Sequence, residues 1–172
     1  MARIEDIANK LNISKGTVSK ALNGAPDVSE TLRKAVLETA VELGYSRSMR
    51  KRGAKQLCLF IENMTCEEPS DFGYDIVTGF RKVAEPAGFV VCVVPLDEQI
   101  QKNISYDEYM LQNNYVAAFF LGLSLADPWL HQLQTSHTPA VLLDNYIRAN
   151  PSTCYVGVDN SEGMDLAVTH LK

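Results

Sequence analysis

From Ser14 to Lys20 the chain sets two ammonium groups and three hydroxyls around one glycine, in the order Ser14-Lys15-Gly16-Thr17-Val18-Ser19-Lys20. An ammonium can donate to guanine O6 and N7, and a hydroxyl or a helix N-terminus can hold phosphate, so this is chemistry suited to a nucleic acid. At about 100° per residue of helix, Lys15, Gly16, Ser19 and Lys20 share one arc, with Val18, Ala21 and Leu22 opposite. One face can meet a partner while the other locks onto neighbouring helices. Gly16 has no side chain and contributes conformational freedom or close backbone approach. The competing reading is a solvated helix face, the usual setting of surface Lys and Ser.

The elements that must present this face are legible around it. Ile4, Ile7, Ala8 and Leu11 follow the i, i+3, i+4, i+7 stripe of a short amphipathic helix ended by Asn12. Ser14 caps a second helix, Lys15 to Leu22, which Asn23-Gly24 stops and Pro26 closes. Ser29 caps a longer helix with the stripe Leu32, Ala35, Val36, Thr39, Ala40 and Leu43, ended by Gly44. Two short helices joined by a tight turn, the second bearing cations, specify a helix-turn-helix that can enter a major groove. Charge agrees with this. Residues 1–56 hold 11 Lys and Arg against 6 Asp and Glu, a net of +5, and the remainder holds 5 against 15, a net of −10. A basic part up to Gln56 and an acidic remainder fit a head that meets a polyanion, although chance distribution gives such asymmetry too.

The strings Ile4-Glu5-Asp6-Ile7-Ala8, Ile13-Ser14-Lys15-Gly16-Thr17-Val18-Ser19-Lys20-Ala21-Leu22-Asn23-Gly24, Val28-Ser29 and Leu43-Gly44-Tyr45 resemble the DNA-binding domain of the lactose-repressor (LacI) family of bacterial transcriptional regulators. The resemblance implies a lambda-repressor-like helical head over residues 1–45. It also implies a body similar to periplasmic sugar-binding proteins. The implied function is a repressor that binds double-stranded operator DNA as a homodimer under control of a small-molecule effector, a sugar or sugar derivative. Position by position, Lys15, Gly16 and Lys20 match places from which the family reads bases. Ser14, Thr17, Ser19, Asn23 and Ser29 match phosphate-contacting or capping places. Lys20 stands where the family more often has arginine, and it lacks the planar fork of that residue.

Residues 46–56 form a basic linker in this reading, with Arg47, Arg50, Lys51, Arg52 and Lys55 and no acid. The family usually carries here a hinge helix whose leucine wedges into the minor groove, and this chain has no such leucine. Met49 is the large apolar candidate for that wedge, or else it covers the edge of the head. Arg50 and its neighbours can track phosphates or enter a narrow groove, or act as a solvated tether.

After the linker the period changes. Leu57–Ile61, Phe89–Val94, Val116–Leu121, Ala140–Leu143 and Tyr155–Val158 are short apolar runs of the kind a sheet buried on both faces produces. Helical stretches alternate with them: Ile76, Phe80, Val83 and Ala84; Tyr106 to Leu111; Trp129 to Leu133; Met164 to Leu171. The expected fold is α/β, a helix-turn-helix head followed by a parallel-sheet, periplasmic-binding-protein-like half domain over 57–172. Ligands of such sheets bind beyond the strand carboxyl ends, where Asn63, Ser124, Asp144 and Asp159 lie, with Phe72, Tyr74 or Trp129 offering a flat apolar face. Polar loops occur at strand ends in every α/β protein, so core and interface roles compete with ligand contact.

A hydrophobic fraction of 46% with 22% charged residues excludes wholesale disorder, and no apolar run reaches the ~18 residues of a membrane span. The N-terminal Met1-Ala2-Arg3-Ile4-Glu5-Asp6 is too polar for a secretory signal, which makes the cytoplasm the expected compartment. Cys58, Cys66, Cys92 and Cys154 form no C-x-x-C pair, and His131, His137 and His170 have no metal-ligand spacing, so no metal or cofactor is expected. Neither G-x-G-x-x-G nor G-x-S-x-G is present, which argues against an enzyme. A stand-alone binding module, a body used only for dimerisation, and a DNA-binding fragment without sensing are the alternatives. The last predicted helix has no C-cap signal, as expected of a partial chain.

Overall fold

The computed structural model describes residues 2–46, 55–148 and 150–172. Three helices build the head: α1 (Ile4–Leu11), α2 (Lys15–Leu22) and α3 (Glu30–Glu42). Each start has a local cause. The Arg3 amide donates to the Asp6 carboxylate at the head of α1, the Ser14 hydroxyl accepts from the Thr17 amide at 3.0 Å, and the Ser29 hydroxyl accepts from the Leu32 amide at 3.3 Å. Asn12 ends α1 in the left-handed region at φ 52°, and Gly24 turns the chain after α2 at φ 70°. Ile7, Val18, Ala21, Leu22, Val36 and Ala40 bury the apolar faces that the periodicity marks.

Beyond the head, ten further elements follow among the described residues: β1 (Lys55–Ile61), α4 (Phe72–Ala84), β2 (Phe89–Pro95), α5 (Glu98–Asn103), α6 (Tyr106–Gln112), β3 (Tyr115–Leu121), α7 (Pro128–Gln132), β4 (Ala140–Leu143), β5 (Thr153–Val156) and α8 (Asn160–Leu171). All strand pairs are parallel, in the order β2-β1-β3-β4-β5, as the alternation of strand and helix predicts. Side chains divide by the period of two. Cys58, Phe60, Ala118, Phe120, Ala140 and Leu142 face a core completed by Tyr106, Met110, Trp129 and Leu133. Leu59, Ile61, Phe119 and Leu121 face the opposite side, against Val77 and Ala84 of α4.

Several expectations are corrected. Lys55 and Gln56, read as linker, open β1. Only the middle of the sheet is buried on both faces: β2 forms one edge and is half-exposed, and β5 forms the other and is largely exposed. The last strand spans Thr153–Val156 and stops before Gly157-Val158. Val83 is exposed, because α4 packs through Gly73, Val77 and Ala84 instead. Helix α5 has no counterpart in the apolar pattern. Trp129 offers no face to a ligand, being fully buried with its indole N–H donating to the Ile104 carbonyl at 2.9 Å.

Head and body touch. Helix α3 packs on α6, and Leu111, 1% exposed, is buried in the head's apolar cluster, whereas its neighbour Met110 belongs to the body's. Leu37 lies off the predicted stripe of α3, yet it is buried in that same head cluster. Gly44, at φ 66°, sits so close to the His137 ring that a Cβ there would lie 2.9 Å from it.

Candidate nucleic-acid interface

Helix α2 holds its inner face by Val18, Ala21 and Leu22, all buried, and this fixes what the outer face shows. Ser14, Lys15, Gly16, Lys20, Asn23 and Ser29 are exposed, with Thr17 and Ser19 half-buried among them. Ser14 accepts from the Thr17 amide and lies 2.9 Å from the Thr17 hydroxyl, so the capping hydroxyls also define the helix N-terminus, where amide N–H groups favour an anion. The Asn23 amide donates to the Ser19 hydroxyl at 3.4 Å. The turn after α2 is pinned by the Arg33 guanidinium, which donates to the Ala25 carbonyl at 3.0 Å.

Both lysines have partners that the sequence reading missed. Lys15 Nζ lies 2.6 Å from Glu5 Oε1, and Lys20 Nζ lies 2.5 Å from Asp27 Oδ2. Hydrogen bonding and charge from Lys15 hold the Glu5 carboxyl below its ordinary range, and Lys20 does the same for Asp27. The ammonium groups keep 65% and 59% side-chain exposure, so neither points into the head. Exposed pairs of this kind are worth about 0–1 kcal/mol and exchange readily for another anion. Partners ten and seven residues away in another element or turn follow no i, i+4 rule, which is why spacing alone did not reveal them. Met49 and Arg50 lie outside the described residues, as do Arg47, Lys51 and Arg52.

The six residues assigned to a ligand all fall at the carboxyl edge of the sheet or on the helix starting there. Asn63, at φ 56°, and Asp144, at φ 53°, are exposed just after β1 and β4. Phe72 opens α4 with 70% exposure, and Tyr74 follows half-buried. Ser124 is tied locally: its amide donates to the Asp127 carboxylate and its hydroxyl accepts from the Ala126 amide. Asp159 caps α8, accepting from the Ser161 and Glu162 amides at 3.0 and 3.1 Å. Where the strand order turns between β1 and β3, Glu62 is buried and takes two hydrogen bonds from the Gln101 amide, at 3.1 and 3.2 Å. Desolvation, reinforced by Asp127, pushes the Glu62 carboxyl up to about 7. Among the described residues no helix is long and apolar enough to cross a membrane.

Residues 3–48 match the family model of bacterial regulatory proteins of the lacI family. The chain is 26% identical to catabolite control protein A of Priestia megaterium, over 81% of this chain and 42% of that protein. It is 30% identical to the HTH-type transcriptional regulator MalR of Streptomyces coelicolor, over 98% of this chain and 50% of that one. Among solved structures, the lac repressor dimer bound to operator and the anti-inducer ONPF is similar at a TM-score of 0.46 and 18% identity, covering 99% of this chain and 52% of that one. The chain thus spans about half the length of the curated relatives it matches. The head, residues 3–48, is thus that of the lacI family of bacterial regulatory proteins.

Proposed function

We propose that this chain comprises the DNA-reading head and the first part of the effector-sensing body of a transcriptional repressor. The repressor binds operator DNA as a dimer and answers to a sugar or sugar derivative. In this reading residues 1–45 are the DNA-binding domain, 46–56 the basic linker and 57–172 the sensing half domain. Lys15 and Lys20 donate to base edges, Gly16 lets the backbone approach, and Ser14, Thr17, Ser19, Asn23 and Ser29 hold phosphates, with Met49 and Arg50 following the duplex from the linker. Asn63, Phe72, Tyr74, Ser124, Asp144 and Asp159 line the effector side. The protein works in the cytoplasm at the nucleoid, and the reading assigns it no catalytic step.

The observation that carries the DNA reading is the outer face of α2, which presents Lys15 and Lys20 to solvent beside a capped helix N-terminus. A gel-shift titration over salt tests it. Affinity should fall steeply as salt rises, and a pseudo-palindrome should be preferred. Lys15→Ala should relax one position by ~1–3 kcal/mol. Binding that ignores salt, or no binding, overturns the reading. For the sensor, a panel of sugars is screened by thermal shift on the full-length protein. A ligand raises the melting temperature by mass action, and no shift across the panel favours a body that only dimerises.

A further inference from the structure

We infer that Glu5 and Lys15 act as one donor-acceptor unit that reads a single G·C base pair, an inference that rests on the DNA-binding reading. Glu5 stands in the first turn of α1 and Lys15 is the first residue of α2, so two separate helices bring the pair together at 2.6 Å. The N-terminal residues of a recognition helix are the ones that contact base edges. Glu5 has no visible duty in starting its own helix, since Asp6 accepts from the Arg3 amide there. Its side chain is 52% exposed, and Lys15 points away from the core beside it.

The groups match one base pair better than the other. An ammonium has three donors. With one committed to Glu5, two remain for guanine O6 and N7. The carboxylate then accepts from cytosine N4, which lies about 2.9 Å from guanine O6 across the pair, close to the lysine-carboxylate spacing. An A·T pair offers the ammonium a single acceptor on adenine and sets thymine O4, another acceptor, beside the carboxylate. Lys20 and Asp27 form a similar pair, but Lys20 lies in the last turn of α2 and Asp27 in the turn that follows, so this pair does not stand at the helix N-terminus.

The test selects preferred duplexes from a randomised pool with the full chain, then measures affinities of Glu5→Ala and Lys15→Ala on the selected site and its single-pair variants. The wild-type site should contain a position that is strongly G·C, and both variants should lose preference at that same position by roughly tenfold, with other positions unchanged. Glu5→Gln, which keeps an acceptor without the charge, should retain part of the preference. Glu42→Gln breaks the Lys10–Glu42 pair, also 2.6 Å but joining α1 to the end of α3, and should leave every position unchanged. Circular dichroism melts confirm that each variant is folded. If folded Glu5→Ala changes affinity by the same factor on all duplexes, or the two variants relax different positions, the inference is overturned while the DNA reading stands. If the wild-type chain enriches no sequence, both fall.

Discussion

At the scale of single residues, Gly16 separates what the head needs for folding from what it needs for contact. It lies within α2, and a methyl group built there would meet only the Ser14 hydroxyl, at an ordinary 3.5 Å. A glycine inside a helix costs about 0.5–1 kcal/mol against alanine. Gly122 is different, since its φ is 82° and a Cβ would fall 2.0 Å from the Glu62 carbonyl. The fold therefore explains Gly122 and gives no packing reason for Gly16, which accords with the proposed close approach of a duplex to the helix backbone. Gly16→Ala should raise head stability by about 0.5–1 kcal/mol in a thermal melt and weaken DNA affinity in a gel shift. Tighter binding by this variant would refute close approach. Ser14→Ala should act in the other direction on stability, losing about 1 kcal/mol with the cap.

At the scale of elements, the junction of β1, β3, α5 and α7 holds a buried acid that has no countercharge among the described residues. Glu62 follows β1 and is tied to Gln101 of α5, whose side-chain carbonyl in turn accepts from the Trp129 amide of α7. Because burial and Asp127 raise the Glu62 carboxyl from 4.5 to about 7, the native state binds a proton that the unfolded chain has already released over that range. Its contribution is full below about 4.5 and is lost as pH rises to about 7. Wild-type stability measured by chemical denaturation should contain this decline, and Glu62→Gln should lack it and be the more stable protein at pH 8. Equal pH profiles for the two would show that Glu62 ionises as freely in the fold as outside it. The same junction shows where sequence was readable. Strands β1 and β3 are legible because unbroken apolar runs such as Leu57–Ile61 are what two buried faces demand. Helix α5 is not, since Glu98–Asn103 has one apolar residue and buries Gln101 through hydrogen bonds, which leave no periodicity. In the head, the arcs of α2 follow from helical geometry alone. The pairing of its lysines with Glu5 and Asp27 depends on how the elements meet, and no local pattern encodes that.

At the scale of the whole molecule, the helical head rests on the body through an apolar contact between α3 and α6. Met110 and Leu111 are consecutive in α6, about 100° apart on the helix, yet both are buried because each faces a different core. Docking of the head removes Leu111 from water. The one tryptophan, Trp129, lies in the body core and the head has none, so its fluorescence reports the body, while hydrogen exchange of the α1–α3 amides reports the head. Leu111→Ala should destabilise the head, read from that exchange, by about 2 kcal/mol, the lower end for a buried leucine, because the head can close partly over the gap. The Trp129 fluorescence midpoint should move far less, since Met110 still fills the body side. A common shift of both signals would mean that head and body unfold as one unit. Unchanged exchange in the head would mean that Leu111 contributes nothing to the head core, and the docking of α3 on α6 would then have no energetic weight.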